Sequence, residues 1–245
     1  MILEETIQKL LDLKLGTMAQ ALRETVEQSP GNQLSFEEKI GLIVDREWTE
    51  RQNRRLARRR RDAKLRAPAC LEDVSCDPGR GIDKATVRSL GTGKWIRAHH
   101  NVIAVGATGT GKTFIGAALA DAACRQGFRA LCFRVPRLLH DLAISRADGS
   151  YAQLLSKLAK VHVLVLDDFL IAPMSEAERR DLLEILEDRY DNSSTVITSQ
   201  LPTKMWHAAL SDPTLADAIC DRVVHNSHVL SLKGPSKRKQ KGMGG

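Results

Sequence analysis

Val102-Ile103-Ala104-Val105-Gly106-Ala107-Thr108-Gly109-Thr110-Gly111-Lys112-Thr113 is the stretch whose reading decides the fold, together with the Phe114-Ile115-Gly116-Ala117-Ala118-Leu119-Ala120 that follows it. An apolar run enters the pattern G-x-x-x-x-G-K-[S/T], and a helical sequence leaves it. Glycines let successive backbone N–H groups converge on phosphate oxygens, and the next helix adds the positive end of its dipole. Lys112 is expected to neutralise the β- and γ-phosphates of ATP, and the Thr113 hydroxyl to ligate Mg²⁺. The contact set for the nucleotide is therefore Gly106, Ala107, Thr108, Gly109, Thr110, Gly111, Lys112, Thr113 and Phe114.

Downstream, Val163-Leu164-Val165-Leu166 ends in Asp167-Asp168. This puts two carboxylates at the C-terminal end of a buried strand, where open α/β sheets bind their ligands. Asp167 is expected on the Mg²⁺ side, and Asp168 is expected to polarise the attacking water. Short β-branched or apolar runs at 102–105, 130–133, 161–166, 195–198 and 229–232 alternate with helical patterns. That alternation predicts an α/β fold, a five-stranded parallel sheet between two layers of helices, in the three-layer P-loop arrangement.

Ahead of it, apolar residues at Ile7, Leu10, Leu11, Met18, Leu22 and Val26 recur with a helical period that Gly16 breaks, and Ser29-Pro30-Gly31-Asn32 reads as a turn. Ser35 and Glu38 form a capping box before a run without Pro until Pro68. This predicts one helix of about thirty residues, roughly 45 Å long. Four segments follow: a helical DNA-binding or oligomerisation domain over 1–67, a connector over 68–100, the ATPase core over 101–233 and a basic tail over 234–245.

The chain of 245 residues carries a net charge of +7, unevenly placed. Residues 51–66 hold +8 and residues 233–245 hold +5, which leaves the rest at −6. Arg51, Arg54, Arg55, Arg58 and Arg61 recur at helical spacing and Arg59 and Arg60 widen the stripe, with Asp62 the single acid of the segment. A solvated face is the ordinary meaning of a charge run, but so little internal relief favours phosphate-backbone binding. Few aromatic residues lie nearby, so duplex DNA is the expected partner. No stretch approaches the ~18 apolar residues of a membrane helix, and the N-terminus lacks a leader pattern, so the expected location is cytoplasmic without a membrane partner. Cys70, Cys76, Cys124, Cys132 and Cys220 form no C-x-x-C pair, and His225 and His228 lack zinc-ligand spacing, so neither disulfide nor zinc is expected.

The P-loop, Leu166-Asp167-Asp168-Phe169, Val196-Ile197-Thr198-Ser199-Gln200-Leu201-Pro202, Asp221-Arg222-Val223-Val224-His225-Asn226 and Leu232-Lys233-Gly234-Pro235-Ser236-Lys237-Arg238 occur in that order. Together with Leu34-Ser35-Phe36-Glu37-Glu38-Lys39, Asn53-Arg54-Arg55-Leu56 and Ala69-Cys70-Leu71-Glu72-Asp73, they resemble the IstB group of insertion-sequence ATP-binding proteins, relatives of the DnaC helicase loaders within the AAA+ ATPases. The resemblance spans essentially the whole chain. It implies Gln200 as a polar sensor near the γ-phosphate, with Thr198 and Ser199 beside it, and Arg222 as an arginine finger serving the ATP of an adjacent subunit. It also implies Arg238 as a second sensor arginine. The implied role is multimerisation on DNA in aid of a transposase of the IstA kind. A DnaC-like loader of a replicative helicase and a non-hydrolysing architectural DNA binder are the alternatives. Leu170 stands where the group usually has Gly, and Pro235 where it usually has Glu. About a dozen residues follow the last strand, too few for a helical lid, so closure over the nucleotide is expected to depend on neighbouring subunits.

Overall fold

A computed structural model describes residues 2–27, 34–65, 69–77 and 79–236. It divides into two compact units, Met1–Arg58 and Arg59–Gly245. Ser29-Pro30-Gly31-Asn32 and Arg238 lie outside the described residues.

The first unit is helical. Helix α1 (Ile2–Asp12) and helix α2 (Gly16–Glu27) are separated by a tight turn in which Lys14 takes a positive φ of 58°, so Gly16 opens the second helix. Helix α3 runs Phe36–Asp62 and starts with both halves of the expected capping box. The Glu38 N–H donates to Ser35 Oγ at 3.2 Å, and the Ser35 N–H donates to Glu38 Oε2 at 2.7 Å. Near its middle the buried Glu47 accepts from the Met18 N–H at 2.9 Å, satisfying one orphan donor of the first turn of α2. The hydrogen bond from Arg51 leads in holding the Glu47 carboxyl below its ordinary pKa.

The second unit opens with a connector that contains helix α4 (Lys84–Gly91) and helix α5 (Lys94–Arg97). Five strands follow: β1 (Asn101–Gly106), β2 (Ala130–Arg134), β3 (Val163–Phe169), β4 (Ser194–Ser199) and β5 (Ser227–Leu232). All pair in parallel in the order β2-β3-β4-β1-β5. Between them lie α6 (Lys112–Arg125), α7 (Val135–Asp148), α8 (Tyr151–Ala159), α9 (Glu176–Arg189), α10 (Trp206–Leu210) and α11 (Pro213–Val224). The expected three-layer α/β architecture with a five-stranded parallel sheet is the observed one. Alternate strand residues face opposite layers. Ile103, Leu131, Leu164 and Ile197 join the apolar core shared with Leu138, Leu182, Ile185 and Ile219 of α7, α9 and α11. Helix α6 covers the other face, and Gly116 is what lets it approach. A Cβ there would stand 3.1 Å from Val165 Cγ1 and 3.2 Å from Thr198 Cγ2.

Strand β3 runs past the expected end at Leu166. The acids sit in an irregularity of the β3–β4 ladder between Leu166 and Phe169, after which the strand regains its pairing at Phe169 with Ser199. Phe169 is completely buried and meets Trp206 edge-to-face at 4.7 Å, so core packing extends the strand beyond its polar residues. Among the described residues no helix is long and apolar enough to cross a membrane.

Arg189, at the end of α9, is 1% exposed. Its Nη1 donates to the carbonyls of Leu158 and Val161 at 2.6 and 2.9 Å, its Nη2 to that of Ser194, and its Nε to Thr195 Oγ1 at 3.1 Å. It thereby satisfies carbonyls at the end of α8 and ties them to the start of β4. Burial pulls its pKa down to about 9, so it remains charged at neutral pH. Arg189→Met is expected to lose about 3 kcal/mol of unfolding free energy, because three buried carbonyls lose their donors, and Arg189→Lys to lose less. Urea denaturation checks this, and a loss within about 0.5 kcal/mol would refute the stapling role.

Candidate nucleotide-binding site

The site lies beyond the C-terminal ends of β1, β3 and β4. Strand β1 delivers the chain to the loop 106–111, and α6 begins at Lys112. At Gly109, φ is +85° and a Cβ would stand 2.1 Å from Ser236 Oγ, so only glycine allows the segment after β5 to lie against the loop. The Lys112 side chain is buried and its Nζ donates to the Ala107 carbonyl at 2.8 Å, which curls the ammonium into the concavity of the loop.

Thr113 Oγ1 donates to Asp167 Oδ1 at 2.9 Å, and Thr198 Oγ1 donates to the same oxygen at 2.5 Å. The Asp168 N–H donates to Thr198 Oγ1 at 3.2 Å. Asp168 itself takes φ = +60°, which turns its carboxylate away from the ladder, and Arg134 Nε donates to Asp168 Oδ2 at 2.7 Å. Thr108 Oγ1 donates to Gln200 Oε1 at 3.0 Å, so the end of β4 touches the P-loop. Lys112, Thr113, Arg134, Asp167, Asp168 and Gln200 line one cleft of about 960 Å³. Its far wall is the connector, through Val74, Ser75, Arg80 and Ile82. Arg134 and the connector wall carried no sequence signal, since neither belongs to a spaced pattern.

Thr113 and Asp167 place a hydroxyl and a carboxylate side by side. Such hard oxygen donors suit Mg²⁺, which is held by one or two protein oxygens plus phosphates. The Cys124 and Cys132 thiols do not compete for that role. Burial pushes Cys132 up to about 12 and raises Cys124, so both stay protonated at neutral pH. Among the described residues no group of three His, Cys, Asp or Glu could hold a metal, and all five cysteines are free.

Arg222 is not in this cleft. The Asn101 side chain at the start of β1 donates to the Arg222 carbonyl at 3.3 Å, which locates Arg222 beyond the opposite ends of the strands, roughly 17 Å of strand from the P-loop. Its guanidinium pairs with Glu187 at 2.9 Å and Asp221 at 2.7 Å and lies over the Tyr190 ring.

The arginines of α3 divide into kinds that their spacing does not distinguish. In the first unit, Arg51 pairs with Glu47 at 2.6 Å and Arg54 with Glu50 at 3.3 Å, so charge relief comes from acids one turn upstream of the basic run. Arg55 and Arg58 are exposed. In the second unit, Arg59 Nε donates to the Cys124 carbonyl at 2.9 Å and Arg60 makes a two-pronged pair with the buried Asp121 at 2.5 and 3.0 Å. Arg61 points out, 3.9 Å from Asp62.

Residues 8–243 match the family model described as IstB-like ATP binding protein. An insertion-sequence ATP-binding protein of Sinorhizobium fredii is 46% identical over 98% of both chains. The IS1162 ATP-binding protein of Pseudomonas fluorescens is 45% identical over 87% of this chain and 93% of its own. A crystal structure of the DnaC helicase loader, 21% identical, shares the fold with a TM-score of 0.57 over 67% of this chain and 97% of that one. A complete P-loop facing Asp167 and Asp168 on a 2-3-4-1-5 parallel sheet agrees with these similarities, and the chain belongs to the IstB-like ATP-binding protein family.

Proposed function

We propose that this protein hydrolyses ATP and uses the nucleotide state to control multimerisation on duplex DNA, in aid of a transposase. The observation that carries the reading is the grouping of Lys112, Thr113, Asp167 and Asp168 around one cleft. The P-loop N–H groups and Lys112 bind the phosphates and hold them in line. Thr113 and Asp167 would hold Mg²⁺, which when bound neutralises charge on the phosphate oxygens. Asp168, whose carboxylate lies at the cleft, orients a water and accepts its proton, while Gln200 at the P-loop senses the terminal phosphate. The insertion-sequence relatives support the transposition context. A cytoplasmic location suits both ATP and DNA.

The exposed arginines of α3 supply phosphate contacts without reading bases, which suits a protein that loads on DNA of any sequence. Arg222 is too far from its own P-loop to reach its own nucleotide. Its partly exposed side chain is offered to the nucleotide of a neighbouring subunit, so hydrolysis becomes a property of the assembly. Arg238 in the basic tail is a further cation for that role.

Lys112→Ala is expected to abolish ATP binding, and Asp168→Asn to keep binding while reducing turnover at least about a hundredfold, in line with the loss of a general base. Nucleotide affinity and steady-state phosphate release check both, and wild-type turnover in either variant would refute the assignment.

Replacing Arg54, Arg55 and Arg58 by alanine should weaken duplex binding equally across sequences and flatten the slope of log K against log salt by about 3. A salt series on two unrelated duplexes checks it. An unchanged slope would leave these side chains as a solvated face.

Hydrolysis should rise more than linearly with protein concentration, and Arg222→Ala should lower turnover about 10³-fold or more while leaving ATP affinity intact. Mixing Arg222→Ala with Lys112→Ala should restore activity, because some interfaces then pair an intact P-loop with an intact arginine. No recovery together with concentration-independent turnover would mean that each subunit works alone.

A further inference from the structure

Asn101, the first residue of β1, is 6% exposed, and both ends of its side-chain amide are engaged. Its Oδ1 accepts from the Thr195 N–H at 2.8 Å, and its Nδ2 donates to the carbonyls of Arg222 and Val223 at 3.3 and 3.4 Å. Its backbone N–H donates to the Asn226 carbonyl at 2.7 Å. One buried side chain therefore joins the starts of β1 and β4 to the last turn of α11, and Arg222 stands in that turn. The turn needs an outside partner, because the last carbonyls of a helix have no intrahelical donor. Helix α11 does not end in the left-handed residue that would supply one, since its C-cap His225 stays right-handed at φ −56° and ψ −37°. Asn101 takes the carbonyls of Arg222 and Val223, and the Ser227 hydroxyl donates to that of Val224 at 2.8 Å. The pairs of the Arg222 side chain with the half-exposed Glu187 and Asp221 can be given up, but the backbone that aims it is held from inside the protein. An acceptor toward Thr195 and donors toward α11 are both required, and an asparagine side chain carries both.

We propose that Asn101 is a positioning residue for Arg222: it fixes the last turn of α11 so that the guanidinium is aimed at the nucleotide of the neighbouring subunit. The P-loop stands at the other end of β1. One interior strand thus carries the phosphate loop for its own nucleotide and the mount of the arginine for the next one. Val102, Ile103 and Ala104 between them are completely buried, and close packing makes that strand a rigid mount. This inference rests on the reading that Arg222 acts on a neighbour's nucleotide.

The test uses Asn101→Ala and the isosteric Asn101→Asp, which keeps the acceptor toward Thr195 and removes the amide donors. Each is expected to lower turnover at saturating ATP about a hundredfold, the effect of moving a reacting group by about 1 Å, with affinity for a slowly hydrolysed ATP analogue within about twofold of wild type. Amide hydrogen exchange should quicken at the end of α11 and stay unchanged in α6. Mixing separates positioning from stability. With Lys112→Ala, either variant should recover turnover, because it brings an intact P-loop and receives a well-placed arginine. With Arg222→Ala it should not, because neither partner supplies one. Unchanged turnover, analogue affinity that falls together with turnover, or recovery with Arg222→Ala would overturn the assignment. Loss of the folded state in both variants counts against it equally, since a positioning role leaves the core standing. The mixture of Arg222→Ala with Lys112→Ala is the control. No recovery there refutes the reading that Arg222 acts on a neighbour, whereas recovery both there and in Asn101→Ala with Arg222→Ala refutes the role of Asn101 alone.

Discussion

One carboxylate oxygen, Asp167 Oδ1, accepts from Thr113 at the start of α6 and from Thr198 near the end of β4. This shared acceptor fixes α6, β3 and β4 to one another at the place where chemistry is proposed. Its surroundings are consistent with the constraint. Gly116 allows α6 to come within van der Waals contact of Val165 and Thr198, the two strands whose side chains meet at Asp167. A larger residue at 116 would lift the helix and lengthen the Thr113–Asp167 contact, so helix packing and site geometry are the same requirement.

The next constraint is the backbone after Asp167. Asp168 and Leu170 both adopt left-handed conformations, φ 60° and 56°, each at a cost on the order of 1–2 kcal/mol for a residue with a side chain. Phe169, between them, is locked into the core against Trp206, whose Nε1 donates to the Leu201 carbonyl at 2.9 Å. The buried Leu170 joins the same apolar cluster. The burial of these two side chains offsets the strain and holds Asp168 out of the ladder. This also accounts for a leucine at a position of positive φ: the Leu170 side chain is used for packing, which offsets the strain that glycine would avoid.

Patterned features were legible in the sequence and positional ones were not. The P-loop, the five strands, the capping box at Ser35 and the Asp167-Asp168 strand end are local, since each is decided by residues within a few positions. The extension of β3 to Phe169 was not legible, because two acids read as an end and only the distant Trp206 reveals the pairing beyond them. Arg134 follows the apolar run 130–133 and belongs to no pattern of its own, and its partner is a residue 34 positions away. Arg189 belongs to no pattern in the sequence, although it is among the most buried of the described side chains. The arginine stripe was the hardest case. Helical spacing put Arg59 with Arg58, but Cys124 and Asp121 on α6 claim Arg59 and Arg60 for the fold.

The same distinction bears on whether Arg222 can serve a neighbour. Its partners, Glu187 and Asp221, are about half exposed, at 48% and 50%, and its own side chain is 28% exposed. Ion pairs of this kind contribute about 0–1 kcal/mol each, so surrendering them costs little. Arg60 and Arg189 are different, for one holds a buried carboxylate and the other is itself buried, and neither could leave without stranding polar groups. An arginine that is to act on a nucleotide in another subunit must be held loosely, pointed outward, and kept far enough from its own P-loop that it does not act there first. Arg222 meets the last condition through the length of β1 that separates it from Lys112, and its pairs with the half-exposed Glu187 and Asp221 are of the kind that can be surrendered.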